Sequence, residues 1–202
     1  MKQTLLFICL LSTSALLGQG SGNDYSRPLD NGFHIVVHTT SMDLYSSNMW
    51  GFEIGNTFNV YRPADIGLAI GVRVSWLDGS IGIENLDGQD TNAIRLMGSV
   101  FAFGPNITYK IQNKLGVEVY YKFKPTFYTE DTENSYASTP GIGITNAFGL
   151  SARYDVFQLG VEFGSGQLDG EVTFEDELNF TEETFDRTFI LDYSRFFIGF
   201  RF

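Results

Sequence analysis

The sequence predicts an all-β fold, an eight-stranded antiparallel up-and-down transmembrane β-barrel, on three observations. Apolar and polar residues alternate with period two over runs of 11 to 15 residues, about twice the usual strand of about 5 or 6. Short turns alternate with longer polar connections, as expected of a barrel with one plain rim and one looped rim. The runs match the roughly 9 to 11 residues that a tilted strand needs to cross hydrocarbon.

Residues 1–20, MKQTLLFICLLSTSALLGQG, have a basic start at Lys2, an apolar stretch from Leu5 to Leu11 and a small-residue end. That is a cleavable export signal. Cys9 follows Ile8 inside the apolar stretch and lacks the setting of a lipidated cysteine. Removing residues 1–20 leaves 182 residues, no cysteine and a formal charge of −12, so disulfides and thiol chemistry fall away. Residues 21–31 read as a flexible lead-in, and 32–202 as one barrel domain with no room for another.

The strands follow in order. A weaker run covers 32–42. From Trp50 to Tyr61, Trp50, Phe52, Ile54, Phe58 and Val60 oppose Gly51, Glu53, Gly55, Thr57 and Asn59. From Ile66 to Leu77, Ile66, Leu68, Ile70, Val72, Val74 and Trp76 oppose Gly67, Ala69, Gly71, Arg73 and Ser75. The run 92–111 slips phase near Gly98, where a bulge is expected. From Leu115 to Phe127, Val117, Val119, Tyr121 and Phe123 oppose Gly116, Glu118, Tyr120, Lys122 and Lys124. From Gly141 to Asp155, Ile142, Ile144, Phe148 and Leu150 oppose Gly143, Thr145, Gly149 and Arg153. Runs at 157–170 and 187–202 complete the set. Longer polar segments fall near 43–49, 78–91, 129–139 and 171–186.

Composition agrees. A mean hydropathy of −0.04 is what two cancelling faces give, and no run of 18 apolar residues follows the signal, which excludes a helical membrane bundle. With 13 basic against 24 acidic residues, nucleic acid is excluded as a partner.

The C-terminus Phe196-Phe197-Ile198-Gly199-Phe200-Arg201-Phe202 places Phe196, Ile198, Phe200 and Phe202 on one face with an aromatic last. With the signal, the alternation and Phe103-Gly104-Pro105-Asn106 before a short turn, the chain resembles the small eight-stranded outer-membrane barrels of the OmpA-like and OmpX-like group, particularly those of Bacteroidetes. The resemblance implies an outer-membrane, multi-pass barrel with both termini in the periplasm. It makes Phe196, Ile198, Phe200 and Phe202 the signal read by the barrel-assembly machinery, and membrane lipid, lipopolysaccharide and other envelope proteins the expected partners. The last strand of a soluble sandwich or lipocalin would end similarly. Strand length favours the membrane, together with Trp50, Tyr61, Trp76, Tyr109, Tyr128 and Tyr154 near predicted strand ends, where interface girdles sit.

If the apolar faces meet lipid, Glu53, Arg73, Glu118, Lys122, Lys124, Arg153, Glu162, Arg195 and Arg201 point into a lumen just wide enough for side chains. Isolated buried charges cost several kcal/mol, so an ion-pair plug is expected, with a narrow polar path as the alternative. The cations outnumber the acids, and inward glycines leave room or accommodate Tyr61 and Tyr120. His34 and His38 share a face about 13 Å apart, too far to hold one metal. Thr39, Thr40 and Ser41 supply hydroxyls near His38, but no orienting acid is identifiable. The chain is therefore read as no enzyme, without a cofactor. Its expected role is structural, adhesive or docking, with a narrow solute channel as the runner-up and a lipid-modifying enzyme third.

Segments 78–91, 129–139 and 169–186 hold 15 of the 24 acidic residues and no Lys or Arg. They read as solvated loops. The sharper alternative is a hard divalent cation gathered by Glu175, Asp176, Glu177, Glu182 and Glu183, although the spacing names no ligand set.

Overall fold

The computed structural model describes residues 27–42, 48–63, 66–85, 92–132, 137–176 and 181–202. The expected signal 1–20 and residues 21–26 of the lead-in lie outside the described residues. A single 3-10 turn, Arg27–Leu29, precedes the strands β1 Gly32–Met42, β2 Met49–Tyr61, β3 Leu68–Asn85, β4 Asn92–Lys110, β5 Leu115–Thr132, β6 Ala137–Tyr154, β7 Phe157–Asp176 and β8 Thr181–Arg201. Each strand is antiparallel to the one before, and β8 returns to β1, closing an eight-stranded barrel in chain order. At the seam Phe33 and Phe202 exchange backbone hydrogen bonds of 3.1 and 2.8 Å.

The alternation places the strands correctly but ends several of them too early. Residues 78–85 continue β3, 128–132 continue β5, and 171–176 and 181–186 belong to β7 and β8. Their ladders run to Asn85↔Asn92, Ala93↔Thr132 and Asp176↔Thr181. Loss of apolar residues marks where a strand leaves lipid, whereas the backbone keeps pairing while a neighbour offers partners.

Following the register once around the barrel, from Gly32 through Thr57, Arg73, Gly104, Lys122, Ala147, Gly164 and Tyr193, returns to β1 at Met42, ten residues further on. For eight strands this stagger corresponds to a tilt of about 40° and a lumen that side chains fill.

Three irregularities shift the register. Trp76 is the extra residue of β3 where Ile54↔Leu77 gives way to Gly55↔Ser75, and Val60 is the extra residue of β2 between Asn59 and Tyr61. The bulge expected near Gly98 lies between Ser99 and Phe103. There Phe101 takes φ 59°, and Val100 and Phe101, adjacent in sequence, both face outward. A phase slip read from sequence marks two facing patterns; the bulge sits where they meet.

The barrel's core is its lumen. The outer surface carries Ile35, Val37, Phe52, Phe103, Ile107, Phe123, Phe148, Leu159, Phe163 and Ile198, all exposed. Inside, an apolar layer of Met42, Met49, Met97, Tyr128, Leu168, Leu191 and Tyr193, with Phe189 against it, fills the loop end. Tyr128 thus faces inward and is not a girdle residue, and Trp76 lies in mid-strand at its bulge, donating from Nε1 to Asn56 Oδ1 at 2.7 Å. Trp50, Tyr61, Tyr109 and Tyr154 do face outward; Tyr61 therefore occupies no space beside the inward glycines. At the turn end Pro28 is buried against Gly116. Asn59 there donates from Nδ2 to the Leu29 carbonyl at 2.7 Å and from its backbone N–H to Asn31 Oδ1 at 2.7 Å. Residues 27–31 of the expected lead-in are therefore packed across the barrel mouth.

Candidate functional site

Between these two caps lies a file of buried charges. All but one come from the face that opposes the lipid row in the unbroken alternation, so strand parity aims them at one another. Nearest the turn end, Glu118 accepts from Arg73 Nη1 at 2.7 Å, Arg201 Nη1 at 2.6 Å and Thr108 Oγ1 at 3.2 Å. Arg201 also donates to the Asp30 carbonyl at 3.1 Å. In the next tier Glu53 accepts from Lys122 Nζ at 2.8 Å and Arg73 Nη2 at 3.3 Å, with His34 Nε2 at 3.0 Å. Above it Glu162 receives Lys122 at 2.8 Å, Lys124 at 3.2 Å, and the Tyr120 and Tyr193 hydroxyls at 3.1 and 3.3 Å. The Arg73 guanidinium also lies 4.3 Å from the Tyr120 ring centre.

The network contains an acid that strand parity missed. Asp78 Oδ2 is 2.7 Å from both Lys124 Nζ and Arg195 Nη1, and its side chain is 3% exposed. A further pair of contacts, Arg95 with Glu84 and with Glu130, joins this interior at the loop end. The bulge at Trp76 moves Asp78 from the outward to the inward phase. Adjacent apolar residues Trp76 and Leu77 just before Asp78 were the available signal.

Arg153 is buried as expected, at the turn end, where it donates from Nε to the Asp155 carbonyl at 2.6 Å. Four carboxylates, Glu53, Asp78, Glu118 and Glu162, therefore interleave with five cations, Arg73, Lys122, Lys124, Arg195 and Arg201. Within these ion pairs the cations exceed the acids by one, a smaller surplus than the sequence suggests because Asp78 joins the acids. An alternating lattice of this kind satisfies each buried charge by several neighbours.

Both histidines join the lattice, and an acid does face His38. His38 Nε2 lies 3.3 Å from Asp78 Oδ1, and its Nδ1 is 3.2 Å from Thr40 Oγ1. The Thr40 oxygen in turn accepts from Arg195 Nε at 3.1 Å. These groups are sealed inside the barrel, each at 3% exposure or less.

Among the described residues no three His, Cys, Asp or Glu side chains are placed to hold one metal ion. Of the acidic set, Glu177 lies outside the described residues. Glu175 and Asp176 end β7, and Glu182 and Glu183 begin β8, with backbone register Glu175↔Glu182 and Phe174↔Glu183; their side chains are likewise outside. Phe196, Ile198, Phe200 and Phe202 form one exposed outward row, with Phe200 and Phe202 stacked at 6.3 Å.

No family model matches the sequence, and no curated protein matches it. Among solved structures the chain is similar to the outer membrane protease OmpT from Escherichia coli, with a TM-score of 0.51 and 10% identity over 80% of this chain. The fold is that of an outer-membrane β-barrel. The chain spans 64% of the length of that protease. It is also matched by Ail, the attachment invasion locus protein of Yersinia pestis, at a TM-score of 0.45 and 12% identity over 85% of this chain and 96% of that one. At such identities the likeness concerns fold. It nevertheless corrects the expectation that the chain is no enzyme, because this architecture is shared with a protease and gives no ground for excluding catalysis.

Proposed function

We propose that the chain works as a closed outer-membrane barrel, a membrane-embedded platform whose acidic loop end adheres to or docks with another component of the envelope or surface. The observation that carries this reading is the filled lumen. From Pro28 and Asn59 at one mouth, through the ion-pair lattice, to the Met, Leu and Tyr layer at the other, inward side chains are buried throughout.

In this reading residues 1–20 direct export and are removed, and the C-terminal row Phe196, Ile198, Phe200 and Phe202 is read by the barrel-assembly machinery. Both termini face the periplasm, and the acidic ends of β3, β5, β7 and β8 face outward toward lipopolysaccharide or a partner protein. Reconstitution into planar bilayers tests the closed lumen: the expected record shows no unitary conductance, and a stable unitary step favours a solute channel instead. Copurification from native membranes tests docking, with loss of the bound component expected when Glu171 and Asp186, which face each other across β7 and β8, become Gln and Asn.

A further inference from the structure

The outward apolar surface is not a level belt. On β3 and β4 it runs from Tyr109 and Ile107 through Phe103, Val100 and Leu77 to Leu96, Ile81, Ile94 and Ile83, all exposed. The one gap on β4, Gly98, is covered by the Phe127 ring. On β7 and β8 the unbroken apolar row starts at Phe157 and Phe202 and stops at Phe163 and Phe196, with Ile190 on β8 exposed beyond the break. Beyond it come Ser165, Gln167, Asp169 and Glu171 on β7, and Asp192 on β8, all exposed, with Ser165 opposite Asp192. Strand β1 changes likewise after Val37, to Thr39 and Ser41.

The stagger of ten residues converts register into height along the barrel axis. With about 3.3 Å per residue, about 4.7 Å between strands and a tilt of about 40°, the apolar row is roughly 35 Å tall on β3 and β4 and roughly 17 Å on β7 and β8. Their mean is near the ~25 Å band of outer-membrane barrels. The lower edges, at Tyr109, Tyr154, Phe157 and Phe202, agree within roughly 6 Å on the same scale. Tilting the whole barrel therefore does not level the upper edge.

We propose that the barrel presents a wedge-shaped lipid belt, which holds the bilayer thin along β7, β8 and β1 and at full thickness beside β3 and β4. The occupant of the upper apolar strip is the acyl region of the bilayer. The strip continues the lipid-facing surface of the same strands without a polar break, and a level membrane would either submerge the Asp192 carboxylate or leave Ile81, Ile83, Ile94 and Leu96 in water, whereas thinning along β8 leaves Ile190 as the only apolar residue of that strand's upper outward face in water. The inference rests on the membrane reading above.

Spin labels test it, because Cys9 is the single native cysteine. In a Cys9→Ser chain refolded into phosphatidylcholine vesicles, labels are placed singly by Ile83→Cys, Asp192→Cys, Ser194→Cys and, as a mid-belt reference, Ile198→Cys. Ile83 stands roughly 5 Å higher than Asp192 on the axis; a level membrane would make its label the wetter one. The wedge inverts that order. Oxygen relaxes the Ile83 label and a nickel chelate does not, while the nickel chelate relaxes the labels at 192 and 194. Nickel access at Ile83 equal to that at Asp192 overturns the proposal and marks the strip as free for a protein partner. Oxygen-dominated relaxation at Ser194 equal to that at Ile83 overturns it in favour of a level belt. Nickel access at Ile198 overturns the membrane reading itself. Heat-modifiable migration of each labelled chain confirms that the barrel has formed before its label is read.

Discussion

Replacing Asp78 by Asn removes one charge from the lattice at nearly constant volume. In the native barrel Lys124 and Arg195 both approach Asp78 Oδ2 to 2.7 Å. After the change the carboxylate they still share is Glu162, at 3.2 Å from Lys124 and 3.5 Å from Arg195, and Arg195 keeps Glu53 at 3.9 Å. Removing one partner of a buried pair costs about 3–5 kcal/mol. Because Glu162 offsets part of the loss, the expected destabilisation is about 3 kcal/mol. At an m value of about 2 kcal/mol/M, the midpoint of urea unfolding falls by roughly 1.5 M. Fluorescence from Trp50 and Trp76, the two tryptophans of the chain, reads the transition in vesicles. Asp192→Asn, on the outer surface, is the control and shifts stability by less than about 0.5 kcal/mol. Adding Lys124→Met to Asp78→Asn restores at least half of the loss, since the penalty is mostly that of an unpaired cation. A shift for Asp78→Asn no larger than the Asp192 control would refute the inward placement of Asp78.

Other substitutions probe the rest of the frame. Gly164→Ala puts a methyl into the Tyr193 ring that lies against Gly164; it lowers stability by about 1–3 kcal/mol in the same urea assay. Asp155, at the β6–β7 turn, has φ 55°, so Asp155→Val costs about 1–2 kcal/mol whereas Asp155→Gly does not. Phe202→Ala reduces the heat-modifiable fraction recovered from outer membranes several-fold, while refolding of the purified chain into vesicles changes little; equal losses in both would remove the terminal phenylalanine's role as an assembly signal.

The strand set was legible because a barrel wall has only two faces and both leave a period-two trace. Alternation from Leu115 to Phe127 and from Gly141 to Asp155 survives intact in β5 and β6, and aims Glu118, Lys122 and Lys124 into the lumen. Two kinds of information were lost. The polar extension 128–131 alternates in geometry but not in hydropathy, because Thr129 and Asp131 face water on its outer side, whereas 78–83 keeps its alternation through Ile81 and Ile83 among glycines and polar residues that read as a loop. Asp78 opens the polar segment 78–91 and so read as loop, and the bulge at Trp76 reverses the parity that would otherwise aim it outward, so His38 appeared to lack an acid. The 3-10 turn at Arg27–Leu29 left no periodic trace at all: one turn held by Asn59 and Asn31 depends on partners about 30 residues away.

The buried lattice also bears on the chain before it folds. A strand whose every second residue is Glu, Lys, Arg, Ser or Gly never accumulates the ~20 consecutive apolar residues that would halt it as a membrane helix. On the proposed export route, the charges that end up hidden among Glu53, Lys122, Glu162 and Arg195 would let a still extended polypeptide pass through an inner bilayer without stopping there. Recoding the lumen as a well-packed apolar core is compatible with a stable finished barrel, yet it would fuse the lipid and lumen rows into continuous greasy segments. On that route secretion, rather than folding stability, would set the limit on how apolar this interior becomes.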